Sequence, residues 1–259
     1  MIRRRLYAEI RFSKLALWSW RFAAFALPVY VISVILHRAG AVEYQSAIAI
    51  LGAALLIALI SAVMAVAAFV VIWNEGLKGL GAAMLGLVIS VAMLSVPVFH
   101  VARGIQQPAI SDISTDTADP PRFQIVSTMR PANANAVTYP AENAKLQQMH
   151  YPAVRPAELD AEAQEVSNLI VAIMQRNGWR VIERSGPRKA GADETIEAVA
   201  YSLILGVPED IAIRMRATKN GVRVDMRSAS RYGSRDFGSN ARRIETFFKQ
   251  LAETRRRVP

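Results

Sequence analysis

Residues 211–230 read IAIRMRATKNGVRVDMRSAS, two alternating runs that meet at Asn220-Gly221. Apolar and polar side chains alternate with period two on both sides, the pattern of half-buried strands. An Asn-Gly pair supplies the positive backbone angles of a two-residue type I′ turn. Such a turn pairs Lys219 with Val222, and so places Met215 opposite Met226, Arg216 opposite Asp225 and Arg214 opposite Arg227. Ile211, Ile213, Met215 and Ala217 then share a face with Val222, Val224 and Met226, while the other face is charged. A one-residue slip would send every apolar side chain to the wrong face, so this hairpin anchors the fold.

The pattern extends outward in both directions. Leu159, Ala163, Val166, Ile170 and Ile173 recur at helical spacing, with acids at the start, Arg176 at the end and Asn177-Gly178 as the stop. A short strand over 179–185, a basic turn over 186–191 and a long strand over 195–207 follow, the last halted by Pro208. After the hairpin, Phe237, Ala241, Ile244, Phe248 and Leu251 form one apolar stripe of a closing helix, and Asp236 stands at its N-cap. The order predicts an α+β domain over 157–259, a mostly antiparallel sheet flanked by two helices.

Upstream of the domain the signals are weaker. Residues 110–123, ISDISTDTADPPRF, gather Asp112, Asp116 and Asp119 among hydroxyls. The spacing is not that of a calcium loop, and turn chemistry explains it as well. Residues 124–129 fit one short strand. Four prolines over 131–156 and little periodicity give an extended linker, over 105–156 as a whole, lying on the domain.

The amino-terminal part is of another kind. Residues 15–36, 46–73 and 80–102 are apolar stretches long enough to cross a bilayer, which takes ~20 residues. The last two contain no Asp, Glu, Lys or Arg, and Arg21 in the first lies beside Trp18 and Trp20, as an interfacial arginine would. The expectation is a three-span bundle over 1–104. Ala54, Ala58 and Ala62 on one helix, and Ala82, Gly86 and Ser90 on the next, form small faces suited to helix packing. Arg3, Arg4, Arg5, Arg11, Lys14 and Lys78 weight one side positively, against Arg38 balanced by Glu43 on the other. The amino terminus is therefore expected in the cytoplasm and everything after Ala102 in the periplasm of a bacterial inner membrane. Residues 1–41 also have the form of a signal peptide ending at Ala39-Gly40-Ala41, but the apolar run is long and Arg38 interrupts the approach.

The net charge is +10, and from Tyr201 onward 13 basic residues face 6 acidic ones. On the charged face of the hairpin Arg214 and Arg227 stand opposed, with Arg223 and Arg231 alongside; opposed like charges require acids, solvent or an anion between them. Asp225 and Glu197 are candidate partners, and a strand-to-helix lock through Arg227 or Arg231 and Asp236 is the bland alternative. Arg214, Arg227, Arg231, Asn240 and Arg243 are the candidate anion-binding residues. Partners would be membrane lipids, an envelope protein or an anionic envelope component. Nucleic acid is disfavoured by the location and by the scarcity of stacking aromatics.

Reaction chemistry finds little footing. No cysteine is present, and His150, the sole histidine after Ala102, stands in the linker without an acid partner. Ser228 and Ser230 fall on the apolar face, so a serine nucleophile lacks a base. No cofactor motif follows a strand in the required order, and no resident metal or cofactor is expected. A metal-dependent hydrolase would have to use Asp236 with Asp112 or Asp116. A purely structural subunit of an envelope complex is the remaining alternative.

Two blocks carry a resemblance. Residues 112–123, with D-I-S-T-D-x-x-D-P-P-R-F, and residues 227–244, with Arg227, Ser228, Ser230, Arg231, Gly233, Asp236, Gly238, Asn240 and Arg243 in place, resemble the bacterial family called domain of unknown function 1499, of the type with a multi-span amino terminus. Tyr232 departs from the smaller apolar residue usual there. The resemblance covers about residues 108–254. It implies a membrane-attached domain and no activity.

Overall fold

The computed structural model describes residues 11–105, 107–186 and 193–257. The chain divides into two compact units, Met1–Val101 and Ala102–Pro259.

The first unit is built on three long helices: α1 (Lys14–Arg38), α2 (Tyr44–Glu75) and α3 (Leu80–Ile105). Each is long and apolar enough to cross a membrane, which makes this a membrane protein. Ser13 caps α1, its Oγ accepting from the Ala16 N–H at 3.3 Å. Lipid tails offer helices no hydrophobic reason to associate, so packing rests on close approach of small residues. Ala26, Ala54 and Ala58 are buried together with Met93. At Gly86 a side-chain carbon would lie 2.3 Å from Ser19 Oγ, so α1 and α3 meet backbone to backbone there. Ser61 Oγ donates to the Ser19 carbonyl at 2.8 Å, adding α2 to the same point. The Arg21 guanidinium lies 5.2 Å from the Trp18 ring centre.

The second unit is an α+β domain. Six strands, β1 (Asp112–Ser114), β2 (Ala157–Leu159), β3 (Arg180–Ser185), β4 (Glu194–Tyr201), β5 (Pro208–Thr218) and β6 (Gly221–Ser230), form one antiparallel sheet. Its order is β1-β6-β5-β4-β3, and β2 shares the outer edge of β6 with β1. Helices α6 (Ala163–Arg176) and α7 (Ser239–Arg257) cover one face, burying Ile170, Ile173, Ile244, Phe247 and Leu251 against Ile211, Ile213, Val224 and Met226. The other face carries a second, smaller core of Phe123, Val126, Val199, Ala212 and Ala229. Residues 115–137 form the layer above it and include the one-turn helix α4 (Ile125–Thr128).

The hairpin keeps its two faces but not its register. Thr218 pairs with Gly221, so Arg214 faces Asp225, Arg216 faces Arg223 and Arg227 faces Ala212. The turn is Lys219-Asn220, one residue earlier than the Asn-Gly signal predicts. Gly221, at φ 132°, serves a different need: a side-chain carbon there would lie 2.1 Å from the carbonyl oxygen of Leu159 on β2. The slip is two residues, and two is the shift that alternation cannot detect.

Other expectations are corrected by tertiary partners. Leu159 belongs to β2, and α6 begins only at Ala163. Strand β4 stops at Tyr201, since Ser202 closes a turn through bonds with Val207 and Gly206. Residues 124–129, expected as a strand, hold α4, because the buried Glu197 carboxylate accepts the N–H groups of Gln124, Ile125 and Val126 at 2.7, 3.0 and 2.8 Å. The 105–156 segment, expected as an extended linker, supplies β1, α4 and an eight-residue helix α5 (Asn143–His150). Gln147 of α5 pairs with both backbone groups of Ser114, closing the free edge of β1. In α7 it is Phe247, not Phe248, that is fully buried; it stacks against Trp179 at 5.9 Å. The basic turn expected over 186–191 lies, apart from Gly186, outside the described residues.

Candidate functional site

Strands β5 and β6 present Arg214, Arg216, Arg223, Asp225 and Arg227 on the face away from α6 and α7, with Arg231 just past the end of β6, and the sheet fixes their spacing. The arginines meet carboxylates of β1, of β5 and of the overlying layer, with carbonyls of that layer, at three points.

At the first, Arg227 is almost wholly buried. Its Nε and Nη2 donate to the two oxygens of Asp112 at 2.9 and 2.6 Å. The remaining N–H groups reach the carbonyls of Pro121 at 3.3 Å and Val137 at 2.7 Å. The guanidinium lies 4.4 Å from the Phe123 ring centre and 5.7 Å from that of Tyr139. Burial pushes the Asp112 carboxyl up from its ordinary value, against the pull of Arg227. Burial, with the Asp112 charge added, pushes the Tyr139 hydroxyl up to about 12.

At the second point, Asp210 holds Arg231 Nε at 2.8 Å and Arg130 Nε at 2.6 Å. Arg130 also donates to the carbonyls of Asn135 and Ala136, and Arg231 to that of Met129. Two arginines from separate elements thus close on one fully buried carboxylate.

The third point lies toward the hairpin turn and is more open. Arg214 reaches Asp119 at 2.9 Å, Asp116 at 3.2 Å and Asp225 at 3.3 Å. Arg216 and Arg223, a directly opposed cationic pair, both reach Asp116 at 3.4 and 3.3 Å. Arg216 also meets Asp119 at 3.0 Å, and Arg223 meets Asp225 at 3.1 Å. Side-chain exposure is 30% for Arg216, 32% for Arg223 and 60% for Asp119, so water competes here as it does not at Arg227. Burial pushes the Asp225 carboxyl up, with Arg223 acting against it. Thr115 and Thr117, on either side of Asp116, line a cleft of about 360 Å3 with Gln147, Gln148, Tyr151 and Arg155.

On the helix face a separate polar network ties β6 to α7. Asn240 accepts from Ser228 Oγ at 2.8 Å and donates to Ser230 Oγ and the Ser111 carbonyl, both at 3.0 Å. Arg243 donates to Ser228 and Asn240 and pairs with Glu209. Asp236 accepts from Gly238 N at 2.9 Å and Asn240 N at 2.8 Å, capping α7 as the sequence indicates. Phe237 and Gly238, at φ 53° and 73°, make the turn that lets it do so. Burial pushes the Asp236 carboxyl up, with those backbone donors acting against it.

The five arginine and asparagine positions singled out in the sequence therefore fall into three places. Arg227 and Arg231 hold the overlying layer, Asn240 and Arg243 hold the helix, and Arg214 alone joins the open cluster. Arg227 and Arg231 take Asp112 and Asp210, not Asp236, as partners. Glu197 meets backbone N–H groups and, among the described residues, no arginine. Ser228 and Ser230 face α7, as the alternation requires, but bond to side chains. Arg216 lies outside the candidate set, because pairing Lys219 with Val222 gives it Asp225 as a neutralising neighbour. Asp112 and Asp236, the carboxylates a hydrolase would need, are occupied by Arg227 and by helix N–H groups. Among the described residues no three His, Asp or Glu side chains gather in a metal-holding group.

The class is thereby defined: a three-span membrane protein carrying an α+β domain whose sheet face is clamped by its own acidic layer. Residues 112–251 match the family described as Protein of unknown function (DUF1499), more than half of the chain, and the chain belongs to that family. No curated protein and no solved structure gives a significant match.

Proposed function

We propose that this protein is a bacterial inner-membrane module whose carboxyl-terminal domain lies in the periplasm and binds an anionic envelope component. The excess of Arg and Lys on the amino-terminal side of the first span and in the second loop supports this orientation. The carrying observation is the Arg216–Arg223 cross-strand pair beside Arg214, whose counter-charge comes from the largely buried Asp116, the buried Asp225 and two more exposed carboxylates, Asp119 and Asp193. Opposed cations cost some tenths of a kcal/mol unless an anion sits between them. Exposed ion pairs are worth only ~0–1 kcal/mol, so a phosphate that offers more acceptors than Asp119 can take its place. The arginine fork suits such a group, and the adjoining cleft gives room for what the phosphate is attached to.

The test is thermal unfolding of the full-length protein in detergent, titrated with inorganic phosphate and with glycerol phosphate at constant ionic strength. A rise in midpoint that disappears in Arg216→Ala/Arg223→Ala is expected. No rise with either compound, or an equal rise in the double variant, overturns the anion reading and leaves a structural subunit as the better account.

A further inference from the structure

The turn joining β4 to β5 is strongly apolar. Residues 201–206 read YSLILG, with Leu203 92% exposed and Tyr201 49% exposed. Ile204 is exposed as well. A water-facing turn has no use for such side chains in series, and an exposed apolar cluster marks a contact surface.

The pairing shows which end of the sheet it occupies. One row of residues crosses the sheet as Asp112, Ala229, Asp210, Val199 and Arg180. The chain arrives at this row through Ser111, whose carbonyl accepts from Ser230 N at 2.8 Å. Two residues past Val199, and still at the same end, the chain enters the 202–207 turn. Strand β4 is three strands from β1, about 14 Å at ~4.8 Å per strand. The hairpin turn Lys219-Asn220 lies at the opposite end.

The incoming segment is short and held fast. Strand β1 starts seven residues after α3 ends, a reach of at most about 25 Å. Arg235 Nη1 donates to the Gln107 carbonyl at 3.0 Å, and Tyr151 OH donates to Gln107 Oε1 at 2.8 Å. Exposed arginines gather at this end too: Arg176 at the close of α6, Arg180 at the start of β3, and Arg235 and Arg242 around the start of α7. An apolar tip with exposed arginines at the same end of the sheet, on a short tether to a membrane helix, matches the chemistry of a bilayer interface rich in anionic headgroups.

We propose that the Leu203-Ile204-Leu205 tip seats in the headgroup layer of an anionic membrane, while the Lys219-Asn220 turn at the opposite end of the same sheet does not. This requires the membrane spans and the sheet pairing, and is independent of the anion site. The chain lacks cysteine, so a single introduced one can be labelled without removing others. Leu203→Cys and Asn220→Cys full-length proteins would each carry a polarity-sensitive fluorophore in vesicles of equal parts phosphatidylcholine and phosphatidylglycerol. Nitroxide lipid is expected to quench the label at 203 several-fold more than that at 220, with a blue-shifted emission at 203 only. Equal quenching at the two sites overturns the proposal. So does a label at 203 that is shielded from aqueous quencher but untouched by nitroxide lipid, which would indicate a protein contact. Leu203→Asp with Ile204→Asp, on side chains the fold leaves exposed, should abolish the lipid quenching of a label at 205 while the melting midpoint stays unchanged.

Discussion

Arg227 is the residue on which the clamped layer depends, and its removal gives the sharpest test of the fold. In Arg227→Ala the Asp112 carboxylate stays buried without its bidentate partner, and breaking such a pair costs about 3–5 kcal/mol. The carbonyls of Pro121 and Val137 each lose a donor worth ~1 kcal/mol, and Phe123 loses a cation worth about 1 kcal/mol. These terms share groups and do not add, so a loss of about 4 kcal/mol is expected. The domain should still fold, since ordinary stabilities are ~5–15 kcal/mol. The loss should also depend on pH. Burial already raises the Asp112 carboxyl, and without the cation it rises further. A raised carboxylate favours the folded state only when protonated, so the cost is full at neutral pH and shrinks as pH falls toward 3.8. Asp112→Leu/Arg227→Met, which leaves neither charge, should recover most of the stability. Urea unfolding of the full-length protein in detergent measures the loss, and hydrogen exchange over residues 112–137 locates it. A variant within ~1 kcal/mol of the wild type, with exchange over 112–137 unchanged, would refute the clamp.

Two further predictions rest on single positions. Gly221→Ala places a carbon against the Leu159 carbonyl at a backbone angle that side chains rarely adopt. It should cost at least ~1–3 kcal/mol and raise exchange in β2 and the hairpin turn more than in β3 and β4. Asp236, like Asp112, has its folded value raised by burial, so stability falls as pH rises from 3.8 through that value. The advantage of the wild type over Asp236→Asn should therefore be largest at low pH and narrow toward neutrality; a widening gap in urea midpoints would contradict it.

What the sequence shows is what repeats locally. The three apolar spans, the two faces of the hairpin and the stripe of α7 follow from periodicities confined to a few turns or pairs of residues. The register of the same hairpin did not follow, because a shift of two preserves both faces. The Asn220-Gly221 signal was real as a glycine requirement, but the requirement came from Leu159 on another strand. Ile125-Val126-Ser127-Thr128 has strand-forming composition and is helical only because Glu197 supplies acceptors from about seventy residues away. The clamp partners lie further still, Asp112 to Arg227 and Arg130 to Asp210, and no local pattern marks such pairs. The arginines were visible as a group; their division into a layer clamp, a helix clamp and an open cluster was decided by chain topology.

The edge of β6 receives both β1 and β2, strands made long before it. Residue 112 leaves the ribosome 115 residues ahead of Arg227, its clamp, and Glu197, which stops α4 from fraying, also follows its target. Most of the groups that clamp the acidic layer to the sheet are therefore synthesised after the layer itself. For most of its own synthesis the segment behind the last apolar helix has carboxylates in water and open strand edges. Those edges and the Asp112 carboxylate can be closed only once β6 has been made. A chain cut short anywhere before that strand keeps its membrane helices and loses both layers of the sheet together.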